Sequence, residues 1–186
     1  MKQSDRAMKK ADAEMHNECR RQVMLIYGAA AVALKNKYRF SQQKILDVFD
    51  STDAVWHEVG EDNRTSMLSL LEDETGIEMT LTDSSTSWHD VNYLNNEVSM
   101  PETITKAQYI FMRKRQTKWM GAMIQACLYL ALYREYGFGV VKLRNLMNEI
   151  GRIRAEVNDK ENRVIVTCRS VTGINVVDRF NNKKYA

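Results

Sequence analysis

Two stretches of the chain, Val23 to Leu34 and Trp119 to Leu132, are apolar almost all the way round a helix. Helices of that kind are central ones, so these two are expected to form the middle of the core. Each leads into an aromatic turn, Tyr38-Arg39-Phe40-Ser41 in the first case and Tyr136-Gly137-Phe138-Gly139 in the second. Beyond each turn the apolar residues recur with helical spacing. Ile45, Val48, Phe49, Thr52, Val55 and Val59 line one segment, and Leu143, Leu146, Met147, Ile150, Ile153 and Val157 the other. Such a stripe is one face of an amphipathic helix folding back on its predecessor. Gly137 suits a left-handed helix stop and Ser41 a helix N-cap. A polar loop and a short third element follow, ending in Thr75-Gly76-Ile77 and Thr172-Gly173-Ile174. Residues 163–169 are rich in β-branched side chains and read as strand or helix; analogy with the first copy favours helix.

The two sets of elements are one pattern written twice. The segment from Ala33 to Ile45 recurs from Ala131 to Leu143 at an offset of 98 residues, placing the repeat units over about 22–79 and 120–177. Between them Thr80 to Met100 is polar and includes Thr82-Asp83-Ser84-Ser85-Thr86-Ser87, a linker. Ser99, Pro101 and Glu102 then provide the start of a helix that runs toward Tyr136. The expected division is 1–79, an N-terminal helix with the first copy; 80–100, linker; and 101–186, a long helix with the second copy. A unit of about 60 residues buries little surface alone. The expected fold is therefore all-α, two tandem helix-turn-helix-loop-helix repeats packed as a pseudo-two-fold helical bundle, either as a monomer with internal pseudo-symmetry or as a homodimer.

Charge adds a second layer. Residues 1–40 sum to +5, 41–100 to −11 and 101–186 to +9, so the net +3 of the 186 residues hides a strong segregation. Opposite blocks either neutralise each other within one fold or meet partners of opposite sign. The longest apolar stretch, Trp119 to Tyr133, is shorter than a bilayer-spanning helix requires, and the first residues lead into charge rather than a secretory apolar region. The expected location is the cytoplasm, with no membrane partner. Cys19, Cys127 and Cys168 form no CxxC pair and imply neither a disulfide framework nor a zinc ribbon.

Chemistry-bearing motifs are sparse. Trp56-His57-Glu58-Val59 and Trp88-His89-Asp90-Val91 place a histidine beside a carboxylate, but neighbours on a helix point about 100° apart, and Ala155 stands where His57 does in the other copy. His16 and Cys19 share a helix face without the further ligands of a zinc site. No phosphate loop, dinucleotide fingerprint or nucleophile elbow is present, so no enzyme, metal or cofactor is implied. Two charged surfaces remain. Asp47, Asp50, Asp53, Glu58, Glu61 and Asp62 form a candidate acidic face for a basic protein partner. Arg113, Lys114, Arg115, Lys118, Arg144 and Arg152 form a candidate nucleic-acid face.

At Tyr136-Gly137-Phe138-Gly139, followed by Lys142-Leu143-Arg144 and Glu149, the chain resembles small phage and prophage proteins of Gram-positive bacteria that carry a Gly-Phe-Gly turn, a basic-Leu pair and a Thr-Gly-Ile segment. The first copy departs from the pattern, with Arg39 and Ser41 where the glycines stand. The resemblance implies a mobile-element origin, action in a bacterial host cell and no catalytic residues. The function expected is a non-enzymatic accessory protein that binds and modulates a host macromolecule, foremost a protein; the alternative is a nucleic-acid-binding regulator using the basic C-terminal half.

Overall fold

The computed structural model describes residues 2–59, 64–79 and 105–178, and within these the side chains of all but residues 2–5, 64–66, 106 and 108–119. The described residues are all-α. In order they form α1 (Lys2–Tyr38), α2 (Gln42–Val59), α3 (Arg64–Thr75), α4 (Lys106–Tyr136), α5 (Val140–Glu156) and α6 (Glu161–Thr172), with one further helical turn at 176–178. The linker expected at 80–100 and the helix start at Ser99–Glu102 lie outside the described residues. Residues 163–169 are helical, within α6. Val164, Cys168 and Thr172 are buried there at i, i+4 and i+8, so packing along one stripe outweighs the β-branched preference. No described helix is long and apolar enough to cross a membrane.

The two apolar helices do take the centre. Ala29, Ala30, Ala31, Ala33 and Leu34 of α1 have no exposed surface, nor have Ala126, Cys127, Leu128, Leu130, Ala131 and Leu132 of α4. They run side by side in the same direction: Gln22 lies against Gly121 at one level, and the Tyr38 and Phe138 rings, 4.8 Å apart, meet at the other. Each is covered chiefly by helices from the other half of the chain. α5 and α6 pack on α1, while α2 and α3 pack on α4. α6 starts beside Arg21, which donates to the Asp159 carbonyl (3.5 Å), and ends at the turn after α1, where Gln42 donates to the Gly173 carbonyl (3.5 Å).

Both long helices stop in the same manner. The Phe40 N–H donates to the Leu34 carbonyl (3.2 Å) and the Phe138 N–H to the Leu132 carbonyl (3.1 Å), each closing a cap of seven residues, one longer than the Schellman 6→1 bond. Such a cap needs a left-handed residue, supplied by Gly137 (φ 66°) in one turn and by Arg39 (φ 60°) in the other. The rings of the two turns meet over the corner. Tyr38 packs on Phe138, Phe40 on Tyr136 (6.3 Å), and the two phenylalanines meet edge to face at 6.0 Å. The Ser41 hydroxyl accepts from the Lys44 N–H (3.2 Å) and caps α2, whereas Gly139 begins α5 without a side-chain cap. The shorter helices also end alike: Thr75 donates to the Leu71 carbonyl and accepts from the Ile77 N–H, and Thr172 does the same with Cys168 and Ile174.

Two expectations follow. A methyl group at Gly28 would fall 2.4 Å from Val164 Cγ1, where α6 crosses α1. Gly28→Ala should destabilise the protein by about 1–3 kcal/mol, and Gly28→Ala with Val164→Ala should cost less than the sum of the single changes in urea unfolding. At the α1 cap, Arg39→Gly should raise stability by about 0.5–1 kcal/mol by relieving a left-handed non-glycine residue. Gly137→Ala should lower it by a similar amount.

Candidate functional site

On α2 the buried residues Ile45, Val48, Phe49, Thr52, Asp53 and Val55 occupy the inner side. At about 100° per residue the opposite side carries Gln43, Asp47, Asp50, Ala54, His57 and Glu58, all exposed. Gln43 donates to Asp47 Oδ1 (2.9 Å). Glu58 accepts from Arg134 Nη1 (2.9 Å), yet its side chain keeps 62% exposure. Of the proposed acidic partner face, then, Asp47, Asp50 and Glu58 stand together on solvent-facing α2. Glu61 and Asp62 lie outside the described residues.

Asp53 does not belong to that face, and this corrects the sequence-based expectation. It is 6% exposed, and Oδ1 accepts a 2.6 Å hydrogen bond from the Tyr27 hydroxyl, whose ring stacks on Phe49 at 4.3 Å. The reason lies in α1: a tyrosine inside an otherwise apolar central helix needs a polar partner for its hydroxyl, and Asp53, at the edge of the buried arc, supplies one.

The basic candidates divide as well. Arg113, Lys114, Arg115 and Lys118 are on the N-terminal half of α4, in the part whose side chains are not described. Arg144 and Arg152 are exposed on α5. Arg152 forms a hydrogen-bonded fork with Glu149 (2.6 and 3.2 Å) and also pairs with Glu156, and the hydrogen bond from Arg152 holds the Glu149 carboxyl below its usual range. Arg154 likewise pairs with Asp159 at 2.8 Å. These guanidinium groups are matched within their own helix or the following loop.

Arg134 was not prominent in the sequence, and it ties the halves of the chain together. From α4 it reaches Glu74 on α3 through two hydrogen bonds (2.6 and 3.0 Å) and Glu58 on α2. The hydrogen bonds from Arg134, reinforced by its charge, lower the Glu74 carboxyl, and those same bonds raise Arg134. Nearby, Ser51 donates to Glu135 (2.5 Å). Opposite charge blocks thus do meet inside one fold, and the sequence signal was the −11 block lying next to the +9 block.

Around the corner formed by the two aromatic turns, the Tyr38 hydroxyl donates to the Lys142 carbonyl (3.0 Å) and is pushed up by burial and by the Glu149 charge. Lys44 lies 4.1 Å from the Phe40 ring centre. Burial raises the Cys127 thiol well above its ordinary value and raises Cys168, so neither is a thiolate nucleophile at neutral pH. His57 is exposed on α2, His16 is exposed on α1 near half-buried Cys19, and His89 lies outside the described residues. Among the described residues, no three His, Cys, Asp or Glu side chains converge as a metal site. A shallow, open depression lined by Glu14, Asn17, Glu18, Arg20, Arg21 and Glu161 marks where α6 begins beside α1.

Removal of Arg134 gives a pH-dependent test. Glu74 has a lowered carboxyl, so its contribution is complete above the carboxyl value in the unfolded chain and fades as the pH falls through the folded value. Arg134→Met should cost about 1–2 kcal/mol at neutral pH. The difference from the parent should shrink as unfolding is measured below about pH 4.

No protein-family model matches the sequence, and neither a curated protein nor a solved structure matches it.

Proposed function

We propose that the protein is a non-enzymatic accessory protein of phage or prophage origin that binds and modulates a bacterial host protein through the outward face of α2. The observation that carries this reading is the placement of Asp47, Asp50 and Glu58 on one exposed side of a helix whose other side is anchored in the core. A rigid acidic helix face complements a basic protein surface, steers its approach and sets its register. The origin is supported by the likeness of the Gly-Phe-Gly turn region to phage and prophage proteins.

We further infer that the chain is a tandem duplication folded about an approximate two-fold axis, in the manner of a fused homodimer whose halves exchange their flanking helices. Three observations support it. α1 and α4 end 98 residues apart, as do the seven-residue closures at Phe40 and Phe138. The packing is reciprocal, each long helix being covered by the opposite half. The aromatic contacts are reciprocal too, Tyr38 with Phe138 and Phe40 with Tyr136.

On that correspondence the positions of Asp47 and Asp50 are Asn145 and Asn148 on α5. At these two positions the second copy presents amides where the first presents carboxylates, while Glu156 stands in the place of Glu58; binding is assigned to the first copy through Asp47 and Asp50. Affinity capture from host lysate after nuclease treatment, with bound proteins identified, tests this. A discrete basic partner should be retained by the parent protein, and Asp47→Asn with Asp50→Asn should weaken it about tenfold without altering the unfolding midpoint. Asn145→Asp with Asn148→Asp should leave that partner bound. Retention of the partner by the Asp47/Asp50 variant would overturn the assignment, and nuclease-sensitive capture alone would move it to the nucleic-acid reading.

A further inference from the structure

We propose that the outward face of the N-terminal half of α1 is a docking surface for the phosphate backbone of double-stranded nucleic acid. α1 runs for about five turns before the level at which α6 begins beside Arg21. Over residues 6–22 its two sides differ sharply. Met8, Ala11, Asp12, Met15, Glu18, Cys19 and Gln22 are buried or half-buried and fall on one arc. The other arc carries Arg6, Lys9, Lys10, Ala13, His16, Asn17 and Arg20, every one of them exposed.

That outer arc contains no acid. At about 100° per residue, Asp12 and Glu14 lie at its two edges and Glu18 belongs to the inner side. Lys10 does approach Glu14 at 3.7 Å, but the side chains are 78% and 54% exposed, and such a surface pair is worth little and yields to a stronger anion. From Arg6 to Arg20 the stripe is about 21 Å long, and α4 runs beside α1 in the same direction. In sequence, residues 106–118 of α4 carry Lys106, Arg113, Lys114, Arg115 and Lys118 and no Asp or Glu.

The chemistry favours a duplex over other polyanions. A straight, stiff row of cations matches the regular phosphate rows of a duplex, and an α-helix has the width of the major groove. The described stripe presents no Phe, Tyr or Trp ring, the broad faces on which single-stranded bases stack, and His16 is its one smaller ring. An interfacial membrane helix needs a free apolar face, whereas the apolar side of this segment, Met8, Ala11 and Met15, is partly or wholly covered. With cations aimed at phosphates, binding is set by charge and carries little sequence preference. This surface is separate from the acidic face of α2 and does not depend on it.

The test is fluorescence anisotropy of the full chain with a labelled duplex of about 20 base pairs, titrated at several salt concentrations between about 25 and 200 mM. Binding should weaken steeply with salt, with a log–log slope near −3 to −4 for about four phosphates neutralised. Neutralising the stripe (Arg6→Gln, Lys9→Gln, Lys10→Gln, Arg20→Gln) should lower affinity at about 50 mM salt at least about tenfold and flatten that slope. Its helicity and unfolding midpoint should match the parent's. Arg144→Gln with Arg152→Gln should bind as the parent does. Absence of parent binding at low salt would overturn the proposal. So would equal binding by the neutralised stripe, a preference for single strands of the same length, or binding to anionic vesicles without binding to duplex.

Discussion

Everything else in this fold depends on the lateral contact between α1 and α4. Two helices that are apolar on nearly every side cannot each be covered by one neighbour, so they lie against each other and still need cover on their remaining faces. Small residues line the buried middle of both: Ala29, Ala30, Ala31 and Ala33 of α1 and Ala126, Cys127 and Ala131 of α4 have no exposed surface, and Gly28 admits Val164 of α6 where no side chain could. Because each long helix takes its cover from the opposite half of the chain, neither half has a complete core by itself. Cooperative unfolding of the described body is the thermodynamic consequence.

The two aromatic turns show how one geometry is reached with different residues. In both, a seven-residue closure forces a left-handed residue and presses a phenylalanine against the seam. Gly137 adopts that conformation without steric cost, while Arg39 carries the strain of a side chain there. The uncapped start of α5 at Gly139 and the capped start of α2 at Ser41 complete the exchange: the first turn has the strained stop and the better cap, the second the relaxed stop and the weaker cap.

Much of this was legible in the sequence because helical stripes are local. The residues listed by spacing on α2 and α5 are the ones buried, apart from Val59, Met147 and Val157, which are half-buried. The left-handed stop at Gly137 followed from turn chemistry. What spacing could not supply was pairing between distant elements. Asp53 reads as one more acid on an acidic helix until Tyr27 is seen to require it, and Arg134 reads as a helix-end cation until Glu58 and Glu74 arrive from other helices. The basic outer arc of α1 was present in the spacing of Arg6, Lys9, Lys10 and Arg20. It gained meaning only when the opposite arc proved to be the covered one.

The segregation of charge then has a geometric explanation. Where the −11 block and the +9 block touch, around Arg134, they neutralise each other and help hold α2 and α3 to α4. Elsewhere distance keeps them apart. Tyr27 stacks on Phe49 between Asp47 and Asp50, and Lys10 precedes Tyr27 by 17 residues, about 25 Å along the α1 axis. Ions screen exposed charges over about 8 Å at physiological strength, so Arg6, Lys9 and Lys10 lie beyond the reach of the acidic face, and only Arg20, about 10 Å from Tyr27 along the axis, stands near its edge. A stiff helical body thus keeps exposed acids on α2 and exposed cations on α1 of one small molecule.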